Sequence, residues 1–362
     1  MHRRSFGLAA VSASLLAFLL PGLARAEGVR ISGPVVHENL AIYFVHGPSA
    51  SGPVPLTLQE AMAKGTVTVH ETGQVNELTI QNLGNEEVFV QSGDIVKGGR
   101  QDRVLMVSLL LPPRSGVIPI ASFCVEHGRW TARGGEDSRT FSSSNSAVPS
   151  QAARLAMKAP APQSAPPQVD PRTGEVNPLS TIAPRILREQ IFDRQGQVWD
   201  SVASTQAKLQ SNLAAPVVAP ESVTSLQLSL ENKKLKEAQE AFLAALQPPG
   251  EKDGDIVGYV FAVNGKLASA DVYPSNALFR KMWAKLLSAN VTEAIAEKDA
   301  AKAAPPAVDA VQAFLDAAQK GASSERNLNA GVQLVTYDSD GAIYSETRRV
   351  AGGWVHRNYL AK

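Results

Sequence analysis

Gly93-Asp-Ile-Val-Lys-Gly-Gly-Arg-Gln-Asp-Arg103 runs straight into Val104-Leu-Met-Val-Ser-Leu-Leu-Leu111 and halts at Pro112-Pro113. A doubled glycine beside apolar runs reads as a turn between strands. Downstream, Ile118-Pro-Ile-Ala-Ser-Phe-Cys-Val125 reads as a core strand and closes on Glu126-His-Gly-Arg-Trp130. Upstream, Val67 and Val69, then Val75, Leu78 and Ile80, then Val88 and Val90 form short alternating or apolar runs. Asn82-Leu-Gly-Asn85 supplies a turn between two of them. One short helix interrupts the pattern over Leu56 to Lys64, with Thr57 as its N-cap and Gly65 as its stop. Many short strands at this spacing predict an antiparallel β-sandwich or partly closed barrel over residues 27–131.

Past residue 131 the pattern changes. Residues 132–178 are rich in Ser, Pro, Ala and Gln and bury too little apolar area to offset their ordering entropy, so they read as a mobile loop or linker. Residues 179–362 mix helices and hairpins. Helical faces run over Ile182 to Leu213 and through Leu235, Ala238, Phe242 and Leu246, with Pro248-Pro249-Gly250 ending the second. Asn264-Gly265 joins two alternating runs as a type I′ hairpin. Ser275 caps a helix expected to reach about Leu287, and a further helix spans Val308 to Gln319. A second hairpin, Val332 to Tyr337 with Ala342 to Val350, and a last strand, Trp354 to Tyr359, finish the chain. The order β, linker, α, then mixed predicts an α+β protein and not a doubly wound parallel sheet.

Residues 1–26 read as an export signal: Arg3-Arg4, a 14-residue uncharged run from Gly7 to Leu20, and Ala24-Arg-Ala26 as the cleavage site. Arg3-Arg4-Ser5-Phe6 also resembles the twin-arginine signal. The expected location is periplasmic or extracellular, with no membrane span after cleavage. Removing that segment lowers Lys+Arg from 35 to 32 against 34 acidic residues. A near-neutral body argues against a nucleic-acid partner, which requires a basic stripe. Cys124 is the only cysteine, which excludes an intramolecular disulfide and favours a small buried hydrophobe.

Three chemistries compete for the charged stretch. Gly98 and Gly99 let successive amides converge on an anion, while Lys97, Arg100 and Arg103 supply positive charge and Asp94 or Asp102 orients them. Arg129 beside Trp130 can stack and still present its fork. The ligand-binding set is therefore Lys97, Gly98, Gly99, Arg100, Asp102, Arg103 and Arg129. A hydrolase would use Asp94 or Glu126 as general base. The bland reading is a tight hairpin with Asp102 paired to Arg100 or Arg103. There is no Walker or dinucleotide fingerprint, and His127, His356, Glu126 and Asp94 lack metal-ligand spacing, so no metal or cofactor is assigned.

Ser92 to Arg103, Leu111-Pro-Pro-Arg-Ser-Gly116 and Cys124 to Trp130 together resemble the domain family associated with ADP-ribosylglycohydrolase and rhodanese-phosphatase proteins. The resemblance continues weakly through Gln197-Val-Trp199, Val263-Asn-Gly265 and His356, covering about residues 30–360. The family brings no established reaction. Its gene association implies an ADP-ribose-like or other phosphate-bearing ligand for the Gly98-Gly99 loop. The expected function is binding of a small anionic ligand by an exported protein. The alternatives are the hydrolase and a structural envelope protein without a small-molecule ligand.

Overall fold

The structure is a computed structural model that describes residues 29–158, 183–299, 303–329 and 331–362. The export signal and the Pro-rich part of the expected linker, 159–182, lie outside the described residues. In chain order the strands are β1 (Arg30–His37), β2 (Leu40–His46), β3 (Leu56–Thr57), β4 (Val67–Gln74), β5 (Glu77–Asn82), β6 (Val88–Val90), β7 (Asp94–Gly98), β8 (Arg103–Leu105) and β9 (Leu109–Leu111). They continue with β10 (Gly116–Cys124), β11 (Phe141–Ala147), β12 (Ile256–Val263), β13 (Lys266–Val272), β14 (Ala322–Asn329), β15 (Val332–Asp338), β16 (Ala342–Arg349) and β17 (Trp354–Ala361). The helices are α1 (Leu58–Ala63), α2 (Gln151–Lys158), α3 (Ala183–Leu213), α4 (Leu226–Leu230), α5 (Lys233–Lys252), α6 (Asn276–Ala296) and α7 (Val308–Ala318).

The class is α+β, as the sequence predicts. Six strands in the order β11-β7-β8-β10-β5-β4 form a curled sheet. Its two edges meet where His70 bridges Thr140 and the Glu71 amide donates to the Arg139 carbonyl at 2.9 Å. The sheet therefore curls into a half-barrel whose edges touch at this one bridge. Val67, Val69, Leu78, Ile80, Val96, Leu105, Ile120 and Phe141 fill the interior. They sit on alternate positions because side chains in a strand alternate between faces.

An eight-stranded antiparallel sheet runs β1-β2-β12-β13-β17-β16-β15-β14. This order corrects the domain boundaries drawn at 131 and 179. Strands from the first fifty residues pair with strands beyond residue 255, and one apolar cluster joins Phe123 and Val125 of the barrel side to Phe261 and Trp283. The linker reading needs a second correction. Within 132–158 lie β11 and α2, and Ala147, Val148, Ala153 and Met157 of this stretch are buried in that shared core. Ser142 to Ser146 is polar on both faces: Ser142 and Asn145 are exposed, while Ser144 and Ser146 are buried, with Ser144 Oγ donating to Gln227 Oε1 at 2.6 Å.

Local expectations otherwise hold. Thr57 caps α1 in a reciprocal capping box with Glu60. Asn264 and Gly265 have φ of 50° and 73°, the pair of positive values a type I′ turn requires. Two helices outrun their expected ends. Pro248 and Pro249 lie inside α5, whose last turn is held because the Trp283 indole N–H donates to the Gln247 carbonyl at 3.0 Å. Gly250 allows that ring to approach, since a Cβ there would sit 2.4 Å from it. α6 continues to Ala296 because nearly every side chain past Leu287 is buried.

Candidate functional site

The doubled glycine forms the turn between β7 and β8. Gly98 and Gly99 have φ of 114° and 56°, and a Cβ on Gly99 would lie 2.3 Å from the Phe141 ring. Only glycine tolerates both conditions. The amides do not converge on one point; each finds its own oxygen within the chain. Gly98 N–H donates to Asp102 Oδ1 at 3.0 Å, Gly99 N–H to the Thr140 carbonyl at 3.0 Å, and Arg100 N–H to Glu71 Oε2 at 3.3 Å. The carboxylates held there belong to the chain itself. The expected vacancy for a guest at Gly98 and Gly99 is thus filled from within.

Asp102 and Glu126 are fully buried at the centre of this network. Arg133 grips Asp102 with both terminal nitrogens, at 3.0 and 3.1 Å, and reaches Glu136 at 2.9 Å. Ser225 Oγ donates to Asp102 at 2.8 Å. Glu126 accepts from Arg129 Nε at 2.7 Å, Ser222 Oγ at 2.5 Å and the Asp102 amide at 3.1 Å. Burial alone would raise the Glu126 carboxyl, but the hydrogen bonds from Arg129 and Ser222 hold it below the ordinary carboxylate range. Burial alone would lower the Arg133 guanidinium, but the Asp102 carboxylate lifts it above its ordinary value. Glu126 and Arg133 thus both stay charged. Glu126 is a saturated structural anion, not a carboxylate with a lone pair to spare for general-base work.

The other expected residues disperse. Arg103 is fully buried and pairs with Glu71 at 3.2 Å, not with Asp102. Arg129 spends its remaining donors on carbonyls of Gly99 and Thr131 and lies 3.7 Å from Asp102. Lys97 turns away to Glu231 at 2.9 Å. Asp94 sits elsewhere, bonded to Lys285 and to the Gln91 amide, so it too is occupied. Arg100 stacks at 5.5 Å on Trp130, which Arg103 approaches equally closely. Trp130 is therefore a cover for the barrel end. Cys124 faces the same end opposite Arg103, and burial pushes its thiol up to about 11.

Above the network opens a cleft of about 960 Å³ between the 127–136 loop and the 220–224 loop. Arg129 and Arg133 form part of its lining, with His127, Gly134, Gly135 and Ser222 around them. Thr224 holds the two walls together through His127: its Oγ1 accepts from the His127 amide at 3.2 Å and donates to the His127 carbonyl at 2.7 Å. Among the described residues the Gly134 and Gly135 amides are exposed and donate to nothing within the fold. Sequence reading missed Arg133 and this second doubled glycine because they fell in the stretch read as linker, and missed Ser222 and Ser225 because they lie between two expected helices with no motif around them. The available signal was the repetition of Gly-Gly beside Arg.

Two further polar groups lie outside the expected set. In one, His356 Nε2 meets Asp271 at 3.0 Å and Nδ1 meets Ser108 Oγ at 2.9 Å, while Tyr259 and Asn358 also donate to Asp271. Lys158 bonds Asn358, and burial pushes its amine down to about 8. In the other, His46, Asp253 and Asp255 bring their ligand atoms within 4.8 Å of one another. Both His46 nitrogens are engaged there, by Ser32 and Asp255.

Fold and site together define an α+β protein in which a curled six-stranded half-barrel shares its core with a larger antiparallel sheet, with a cleft over a buried arginine–carboxylate clamp. The ARPP-1 domain family (ARG and Rhodanese-Phosphatase-superfamily-associated Protein) matches residues 28–360, and the chain belongs to that family. Neither the curated proteins nor the solved structures gave a match. Among the described residues no helix is long and apolar enough to cross a membrane.

Proposed function

We propose that this chain is an exported binding protein whose guest is a small polyhydroxylated molecule carrying an anionic group, such as a sugar phosphate or ADP-ribose. The open cleft of about 960 Å³ carries the reading, since it is large enough for such a molecule. Its charges refine the ligand class. Arg129 and Arg133 are neutralised by Asp102 and Glu126, and Glu136 and Glu221 add acceptors to the wall. A bare anion gains little from such a balanced field. A ligand with hydroxyls for those carboxylates, and one anionic group for the Gly134-Gly135 amides, gains more. The rigid clamp serves as the floor and reacts with nothing.

Calorimetry with ADP-ribose, ribose 5-phosphate and inorganic phosphate tests this. Sugar phosphates should bind more tightly than phosphate. Gly135→Trp, at a position where a Cβ meets nothing within 4 Å, should fill the cleft and abolish binding while leaving the melting temperature unchanged. Binding that survives Gly135→Trp rejects the cleft, and no binding by any of the three favours a structural envelope role.

A further inference from the structure

We propose that Ser32, His46 and Asp255 form a second, chemically active site: a serine nucleophile that accepts an acyl group from a small carboxylic ester. The site shares no residue with the cleft. Three adjacent strands build it. His46 ends β2, the middle strand, where it lies opposite Arg30 of β1 and Ile256 of β12. Ser32 is the diagonal neighbour of His46 on β1, and Asp255 immediately precedes β12. Side chains two apart on a strand share a face, so Ser32 and His46 point the same way. A register shift follows at once between Ser32 and Val35, and such irregularities commonly re-aim a side chain beside a site.

The geometry orders the protons. Ser32 Oγ lies 2.7 Å from His46 Nε2, and Asp255 Oδ1 lies 2.8 Å from His46 Nδ1. An ionised carboxylate only accepts, so Nδ1 carries the ring proton and the Nε2 lone pair faces the serine hydroxyl. That is the arrangement in which an imidazole serves as general base. The ring is almost fully buried, with 3% of its side chain exposed, and is fixed from both sides. Ser32 remains partly exposed, so an ester can reach it. Arg30 stands two residues before Ser32 on the same strand face, 61% exposed, and touches Asp255 through one nitrogen at 3.4 Å. Its other N–H groups are available to a carbonyl oxygen that gains charge.

The same three residue types recur in Ser108, His356 and Asp271, and access separates the two sets. Ser108 is 5% exposed and its Oγ already accepts the Ser92 amide at 3.0 Å. That set ties elements together and offers no open nucleophile.

In the proposed step, Ser32 Oγ bonds to the ester carbonyl carbon and its proton passes to His46 Nε2. The tetrahedral adduct collapses, the carbon–oxygen bond to the alcohol breaks, and the leaving oxygen takes the proton from Nε2. Water then attacks the acyl-serine, gives a proton to Nε2 and releases the acid, and Ser32 recovers that proton. No oxidant, reductant or further reactant is needed.

The test is brief exposure of the purified protein to p-nitrophenyl acetate, followed by peptide mass spectrometry. Acetylation is expected on the peptide containing Ser32, ahead of the exposed Ser323 and Ser324, and absent from Ser32→Ala. Asp255→Asn and His46→Gln should each slow it by roughly 100-fold, the scale of a lost general base. Asp255 is exposed, so that variant reports even if His46→Gln unfolds. Acetylation of Ser32 no faster than Ser323, or a rate indifferent to Asp255→Asn, overturns the proposal.

Discussion

Arg133 and Cys124 show how much a single side chain depends on what surrounds it. Arg133 neutralises Asp102, which has no contact with water. Removing the guanidinium strands a buried charge, a loss on the order of 3–5 kcal/mol. Arg133→Ala should therefore lower the unfolding free energy by about that amount in urea titration, whereas Arg139→Ala, whose side chain is 87% exposed, should cost under about 1 kcal/mol. Cys124 is held as a neutral thiol by burial. A thiol-reactive disulfide reagent at pH 8 should find nothing to modify in the folded protein and one group after denaturation. Rapid modification of the native protein would contradict the packing around Cys124. Sequence alone identified that thiol as a buried hydrophobe and Gly98-Gly99 as a turn; the anionic guest expected there gives way to three acceptors of the chain itself. It did not identify Arg133, because that arginine lies in the stretch read as linker, where the Gly-Gly that follows it was the one local signal.

At the scale of elements, docking is achieved by side chains that imitate strands. Gln195 of α3 is buried against β10, where its amide donates to the Cys124 carbonyl and accepts from the Cys124 amide, both at 2.9 Å. It completes the ladder on the side of β10 away from β8, where pairing with β5 has already ended at Ala121. Gln195→Ala leaves both backbone groups buried and unpaired, and should cost about 1–3 kcal/mol. Leu209→Ala on the same helix should cost a comparable amount by cavity formation, on the order of 2–5 kcal/mol. Only the glutamine variant should also accelerate hydrogen exchange at the Cys124 amide. Helix caps and hairpin turns were legible in advance because they depend on residues within four positions of one another. β11 was not, since Phe141-Ser-Ser-Ser-Asn-Ser-Ala147 has apolar residues only at its two ends. Pairing with β7 supplies the rest of its definition.

For the whole molecule, buried carboxylates set the response to acid. Burial would raise Glu126, Asp271 and Glu346, but hydrogen bonds from Arg129, His356 and Tyr344 respectively hold all three below their ordinary values. Folded values below unfolded ones give stability that is present above the unfolded values, 4.5 for Glu and 3.8 for Asp, and lost as pH falls through the folded ones. Glu293 opposes this, because burial raises it and its protonation favours the folded state. Three groups outweigh one. Unfolding free energy measured by urea should decline steeply below about pH 4.5. Glu126→Gln should be less stable at pH 7 and show a shallower acid limb. An unchanged limb would mean that Glu126 is not held as a carboxylate.

Strand runs, turns, caps, a lone buried thiol and the mixed α+β class were determined by the chain's own order, because each depends on neighbours within a few residues. The partners of the charges were decided only in three dimensions. Asp102 takes Arg133, 31 positions away, in place of the adjacent Arg103, and Arg103 takes Glu71, 32 positions back. Adjacent residues in a strand point to opposite faces, so chain proximity keeps Asp102 and Arg103 apart while the curl of the sheet brings their true partners within hydrogen-bond distance.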